Sequence, residues 1–176
     1  DPPVFARAVD GWGLQVGVEH AGDLPVLRAR LGRSRILGVS CYASLGRAKE
    51  AAAAGADYVA FGSVFPSATK PAAVRAPLAL FAQARALDIA LVGIGGIDGS
   101  NLQRLIDAGA DAAAVINDLF IGSDCASESA SEYVGECASE CGSDFTAIRE
   151  RASALARCFD DARASGPNPD SLLQAS

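Results

Sequence analysis

Several short stretches of this sequence carry groups able to hold a phosphorylated ligand. Ser67-Ala-Thr-Lys70 places two hydroxyls, those of Ser67 and Thr69, and the Lys70 ammonium within one short segment, which gives an anion several donors and one full charge. The competing reading is a proline-flanked surface turn with a solvated lysine. Ile94-Gly-Gly-Ile97 runs through Asp98-Gly-Ser100 toward a helical segment, and Gly95 and Gly96 let backbone N–H groups approach an anion beside a helix start. A plain tight turn is the alternative there. Val115-Ile-Asn-Asp118 follows the last apolar run, so the backbone at Ile116 and Asn117 can complete the same site. Ser40 closes the run Ile36-Leu-Gly-Val-Ser40, and its hydroxyl is expected at the same rim, with capping or turn formation as the other role. Glu19 and Asp23 lie just past the first run, where carboxylates can hold Mg²⁺ facing a diphosphate; Asp23 equally suits the N-cap of the next helix. The single histidine, His20, is not placed near Ser40 by anything in the sequence, so no Ser-His-Asp arrangement is expected.

These groups need a scaffold that brings them to one place. Gly-bounded apolar runs at 13–17, 35–40, 58–62, 90–95 and 112–116 alternate with helical segments. Runs this short, apolar on both faces, suit buried strands of a parallel sheet, so the fold is α/β. Helices are expected over 24–31, 45–54 and 78–87, and Ser100 with Gln103 matches a capping box that starts a fourth, ended by Gly109. Ala-Gly-Ala-Asp occurs at 54–57 and again at 108–111, each time between a helix and a strand, which marks repeated βα architecture. The connection after 58–62 is about ten residues longer than the others and contains Ser67, Thr69 and Lys70. Loops at strand C-termini are where α/β folds place their chemistry, and those after the last two strands of a TIM barrel recurrently bind phosphate.

Composition narrows the classes. With 50% hydrophobic and 20% charged residues, the chain has the balance of a globular domain with a core. Its net charge of −6 argues against a nucleic-acid surface, which needs clustered Lys and Arg. No apolar stretch is long enough for a membrane span and no signal segment opens the chain, so a cytoplasmic protein is expected. The five cysteines are read as reduced thiols; Cys137 and Cys141 lack the Cys-x-x-Cys spacing and the histidines of a zinc site. The expected organisation is a partial (β/α) barrel over 1–122, a Ser/Glu/Cys-rich insertion over 123–144, a helix over 145–164 and a flexible tail over 165–176. The absence of Met and the Asp1-Pro2-Pro3 opening suggest a partial chain.

With these residues in hand, the chain resembles the thiamine phosphate synthase family. The resemblance runs from about Ala6 to Phe120, across Gly38-Val-Ser-Cys-Tyr42, the specific stretch Ala54-Gly-Ala-Asp-Tyr-Val-Ala-Phe-Gly-Ser-Val-Phe-Pro-Ser-Ala-Thr-Lys70, Val92-Gly-Ile-Gly-Gly-Ile97 and Ala108-Gly-Ala-Asp111. It implies a TIM (β/α)₈ barrel of which the last five βα units are visible, completed by an N-terminal segment or by a homo-oligomer that covers the open edge. It also implies a transferase that condenses 4-amino-5-hydroxymethyl-2-methylpyrimidine diphosphate with hydroxyethyl-thiazole phosphate, giving thiamine phosphate and pyrophosphate. Ser67, Thr69 and Lys70 would hold the leaving pyrophosphate, and Ser40 would hydrogen-bond to it or assist its departure. Gly95, Gly96, Ile116 and Asn117 would hold the thiazole phosphate, and Asp23 would bind Mg²⁺. The partners implied are small phosphorylated substrates, with no nucleic acid and no membrane. Three departures stand out: Gly17-Val-Glu-His-Ala-Gly-Asp23 replaces the usual Gly-Gln-Glu-Asp, Tyr42 stands where a histidine is common, and Asn117 where a serine is. The alternatives are a thiazole tautomerase-like enzyme, in which a histidine is expected near Tyr42, and a non-catalytic phosphate-binding module built as a barrel fragment or an open flavodoxin-like sheet.

Overall fold

The computed structural model describes residues 13–17, 22–67, 73–120 and 145–165. Within them the chain alternates strand and helix in the order β1 (Leu14–Val16), α1 (Leu24–Leu31), β2 (Leu37–Tyr42), α2 (Leu45–Ala53), β3 (Tyr58–Gly62) and α3 (Ala79–Ala84) with a 3₁₀ turn (Arg85–Leu87), then β4 (Ala90–Ile94), α4 (Leu102–Asp107), β5 (Ala112–Ala114), a short α5 (Asn117–Phe120) and α6 (Phe145–Ser165). Glu19, Thr69, Lys70, the segment expected as an insertion and the residues after Ser165 lie outside the described residues.

All four strand pairings are parallel and the spatial order is β1-β2-β3-β4-β5. That order decides against the flavodoxin-like alternative, in which the winding reverses and the strand order becomes non-sequential. A sheet wound in one direction collects its helices on one face, as barrels do. Val16, Leu37, Val39, Val59, Phe61 and Leu91 are buried, and their registers put them on one face. They form a single core with Leu24, Leu27 and Leu31 of α1, Ala48 and Ala51 of α2, Leu80, Phe81 and Ala84 of α3, and Leu102 and Leu105 of α4. Phe61 and Phe81 meet edge to face at 5.3 Å. Gly93 has no side chain because Leu105 occupies the space, with its Cδ2 2.6 Å from where a Cβ would be.

The opposite face departs from the expectation of strands apolar on both sides. It carries Gln15, Ser40 and Tyr58, which are exposed or half-buried, beside Gly38 and Ala60 in register. Among the described residues the buried helix positions pack on the other face, that of Leu37 and Val59.

The repeated Ala-Gly-Ala-Asp phrase does the same structural job twice. Gly55 and Gly109, at φ 82° and 99°, turn the chain out of α2 and α4 in the left-handed region. Asp57 then accepts from the Leu37 N–H at 2.6 Å and pairs with Arg28. Asp111 accepts from the Leu91 N–H at 2.8 Å and takes a two-pronged bond from Arg85 at 2.9 and 3.0 Å. Each aspartate thereby closes the N-terminal edge of one strand pair, the end opposite the candidate site.

Helix starts follow local chemistry with one correction. Ser44 caps α2 by accepting from the Arg47 N–H. The capping box expected of Ser100 and Gln103 does not form: Asp98 Oδ1 takes the N–H groups of Ser100 and Asn101 and the Ser100 hydroxyl, while Gln103 bonds forward to Asp107. An aspartate two residues ahead offers a charged acceptor in an Asx turn, and it outcompetes the serine. Asp23 sits at the N-cap position of α1 without a side-chain capping bond. The segment expected as helix over 78–87 tightens to 3₁₀ after Ala84 and ends at Asp88, whose φ of 50° is left-handed. Among the described residues no helix is long and apolar enough to cross a membrane.

Candidate active site

Because every strand runs the same way, their C-terminal ends share one rim, and each predicted site residue among those described falls in the chain near or after the end of a strand. Asp23 follows β1, Ser40 lies near the end of β2, Ser67 follows β3, Gly95 and Gly96 follow β4, and Ile116 and Asn117 follow β5. Three strand spacings of about 4.8 Å separate β1 from β4 across the sheet, roughly 14 Å.

The loops after β3 and β4 are joined directly. Val64 N–H donates to the Ile94 carbonyl and Phe65 N–H to that of Gly95, both at 3.0 Å. The Arg104 guanidinium of α4 lies 5.3 Å from the centre of the Phe65 ring. The base of the long loop is also closed, since Ala76 N–H donates to the Ser63 carbonyl at 2.9 Å. Both described flanks of the segment that contains Lys70 are therefore fixed at the rim beside the glycine turn.

The glycines themselves answer to close approach as well as to conformation. Gly95 has φ 98°, and a Cβ there would come within 2.6 Å of Ser63 Oγ. Gly96 has φ 66°, and a Cβ would meet the carbonyl oxygens of Pro66 at 2.3 Å and Phe65 at 2.6 Å. Asn101 holds the turn from beneath: its Nδ2 donates to the Gly96 carbonyl at 2.9 Å and its Oδ1 accepts from the Asp98 N–H at 3.1 Å. Sequence reasoning missed Asn101; the signal was a polar side chain five residues past a glycine pair, which chain order alone does not aim at a carbonyl.

Ser40 precedes an irregularity in β2. The ladder pairs Ser40 with Ala60 and next Tyr42 with Phe61, so two residues, Cys41 and Tyr42, oppose one step of β3. The strand runs on through this bulge to Tyr42, two residues past the Ser40 end read from the sequence, and Tyr42 takes φ 52°. Tyr42 is 51% exposed, with the Arg47 guanidinium 5.8 Å from its ring centre. Ser40 Oγ accepts from Gln15 Nε2 at 2.9 Å, and Gln15 Oε1 accepts from the Tyr58 hydroxyl at 2.7 Å. Gln15 and Tyr58 were read from the sequence only as strand residues, although a polar glutamine in an apolar run was a visible irregularity.

Asn117 begins α5, and the Ile116 carbonyl accepts the N–H groups of Leu119 and Phe120 at 3.1 and 3.0 Å. The Ile116 side chain is 62% exposed at the rim. Among the described residues no group of three potential metal-ligating side chains gathers.

Cys41 adjoins Ser40 but points to the core, fully buried. Burial pushes its thiol up to about 11 from 9.0, against a smaller lowering by Arg47 and with a further raising by Glu50. The thiol is therefore protonated near neutral pH and unsuited to nucleophilic work. A raised folded value means that the stability Cys41 contributes is present below pH 9 and is lost as pH rises toward 11. Native protein at pH 8 should leave Cys41 unlabelled by a thiol reagent that reaches it fully in denaturant, read by mass spectrometry of the peptide; rapid native labelling would refute this.

Comparison with known proteins bears on what the rim does. The family model for thiamine monophosphate synthase matches residues 1–119. The chain is similar to a thiamine-phosphate synthase of Aromatoleum aromaticum, 53% identical over 128 residues that make up 72% of this chain and 61% of that protein. It is similar to another from Methylobacillus flagellatus, 50% identical over 124 residues, 70% of this chain and 59% of that one. Among solved structures, a thiamine phosphate pyrophosphorylase from Pyrococcus furiosus matches with TM-score 0.64 and 28% identity, covering 92% of this chain and 65% of that chain. The chain thus spans about 60% of the length of the curated relatives it matches.

Proposed function

We propose, since this chain belongs to the thiamine monophosphate synthase family, that its rim serves the condensation of 4-amino-5-hydroxymethyl-2-methylpyrimidine diphosphate with hydroxyethyl-thiazole phosphate. The C–O bond between the pyrimidine methylene and the diphosphate breaks, its electron pair leaves with pyrophosphate, and the thiazole nitrogen forms the new C–N bond to the methylene carbon. Such a reaction needs little proton transfer and much stabilisation of a departing polyanion. The observation that carries the proposal is the junction of the loops after β3 and β4, where Val64 and Phe65 bond to Ile94 and Gly95. That junction ties the start of the connection whose sequence contains Lys70 to the glycine turn, which supports reading the two as neighbouring anion sites.

In this reading Ser67, Thr69 and Lys70 take the pyrophosphate, with Ser40 donating to it. Gly95, Gly96 and the backbone at Ile116 and Asn117 take the thiazole phosphate. Asp23 would hold Mg²⁺, which when bound would neutralise part of the diphosphate charge. The five strands would form an arc of a (β/α)₈ barrel whose inner face is the one that carries Gln15, Ser40 and Tyr58.

The test is turnover by the full-length protein with both substrates and Mg²⁺, following thiamine phosphate and pyrophosphate. Their appearance in equal amounts is expected. Thiazole phosphate bound in a calorimeter without turnover would favour a phosphate-binding module, and isomerisation of the thiazole without consumption of the diphosphate would favour a tautomerase.

A further inference from the structure

On the inner face, three strands are joined by side chains in an arrangement that fixes a proton. Tyr58 of β3 reaches across β2 to Gln15 of β1, and it can do so only because Gly38 lies beneath its ring. A Cβ on Gly38 would stand 2.0 Å from Tyr58 Cζ and 2.3 Å from its hydroxyl oxygen. The Tyr58 hydroxyl donates to Gln15 Oε1 at 2.7 Å, and Gln15 Nε2 turns back to donate to Ser40 Oγ at 2.9 Å.

The direction of these bonds follows from what each group can do. Burial raises the Tyr58 phenol above its ordinary value, so at neutral pH it carries its proton and can donate. Of the two ends of the glutamine amide only the oxygen accepts, so a donating phenol turns Oε1 toward β3 and Nε2 toward Ser40. Ser40 Oγ then already accepts a hydrogen bond on its inner side, and its own O–H is left to donate elsewhere. A serine whose oxygen already accepts inside the network keeps its O–H for donation to an anion at the rim.

We propose that Tyr58, acting through Gln15 across Gly38, is a positioning residue that sets Ser40 as a hydrogen-bond donor toward the leaving diphosphate oxygen. This rests on the synthase reading for the identity of the anion; the network itself does not. Tyr58 and Gln15 do not act on the substrate in this scheme, and Ser40 does.

The experiment is a double-mutant cycle of Tyr58→Phe and Ser40→Ala in the full-length protein. Tyr58→Phe removes one oxygen and keeps the ring on Gly38. It should lower kcat about tenfold, the lower end of the loss seen when a group that orients a metal ligand is removed, with KM for the thiazole phosphate within about twofold. In the Ser40→Ala background the same change should alter kcat by less than about twofold, because the residue it positions is gone. Gly38→Ala, which displaces the ring but keeps the hydroxyl, should reproduce the Tyr58→Phe loss. Equal losses from Tyr58→Phe in both backgrounds would overturn the proposal, as would a Gly38→Ala protein, folded by its thermal transition, with unchanged kcat. The Gln15 side-chain amide resonances supply a readout free of activity: both Ser40→Ala and Tyr58→Phe should shift them. If the wild-type protein shows no turnover, the synthase reading fails. The amide resonances then decide the network, and their indifference to both variants overturns it.

Discussion

Gly96→Ala should destabilise the protein by about 2–4 kcal/mol, the range reached when backbone strain and a steric clash combine at one site. Two penalties act together. At φ 66° an alanine occupies the left-handed region, and its methyl would stand 2.3 Å from the Pro66 carbonyl oxygen and 2.6 Å from that of Phe65. Neither oxygen can swing away like a side-chain tip, because both belong to a backbone held by the Phe65 bond to Gly95. The relief available is to push the loop after β3 off the turn after β4, which would also part the two proposed phosphate sites. Gly99→Ala is the control: no atom lies within 4 Å of its Cβ position, and a change within about 0.5 kcal/mol is expected. Urea unfolding of the two variants checks this. Equal midpoints for both would show that the loop junction is softer than its hydrogen bonds imply.

Lys70→Ala should lower kcat/KM by roughly 100- to 1,000-fold, the cost of removing one donor from a site that stabilises developing negative charge. Pyrophosphate leaves with several negative charges, and these 176 residues carry a net −6, so they supply no general positive field to compensate for a lost ammonium. The ammonium's proposed task begins when the diphosphate binds, and the buried core of the described residues is built by other groups. Stability is therefore expected to change by less than about 0.5 kcal/mol. Lys70→Arg should recover part of the rate by keeping the charge while altering its geometry. Steady-state rates set beside denaturation midpoints separate the two effects. A stability loss on the same scale as the loss of transition-state stabilisation would assign Lys70 to the fold instead.

The two substitutions probe opposite kinds of information. Lys70 was picked out by type alone: an ammonium near two hydroxyls in a long βα connection has a chemistry whatever surrounds it. The strands were legible for a similar reason, since Val59, Phe61 and Leu91 belong to short Gly-bounded apolar runs that alternate with helical segments. Helices α1 and α2 fall within a residue of where the sequence put them, α3 gives way to a 3₁₀ turn after Ala84, and α4 forms although the capping box that announced it does not. The doubled Ala-Gly-Ala-Asp phrase announced the repeat, because a glycine that ends a helix and an aspartate that clamps the next strand are local devices.

What tertiary structure alone decided is the set of relations between residues distant in sequence. Gly96 is a glycine because Pro66 and Phe65 come back to it, and Gly38 because Tyr58 lies over it. Strand order chose between an arc wound in one direction and a doubly wound sheet, although both share the same alternation of strand and helix. Periodicity and residue type record what each segment buries and what its side chains can do. Which segments become neighbours depends on how the strands associate, and no pattern within a single strand encodes its partner.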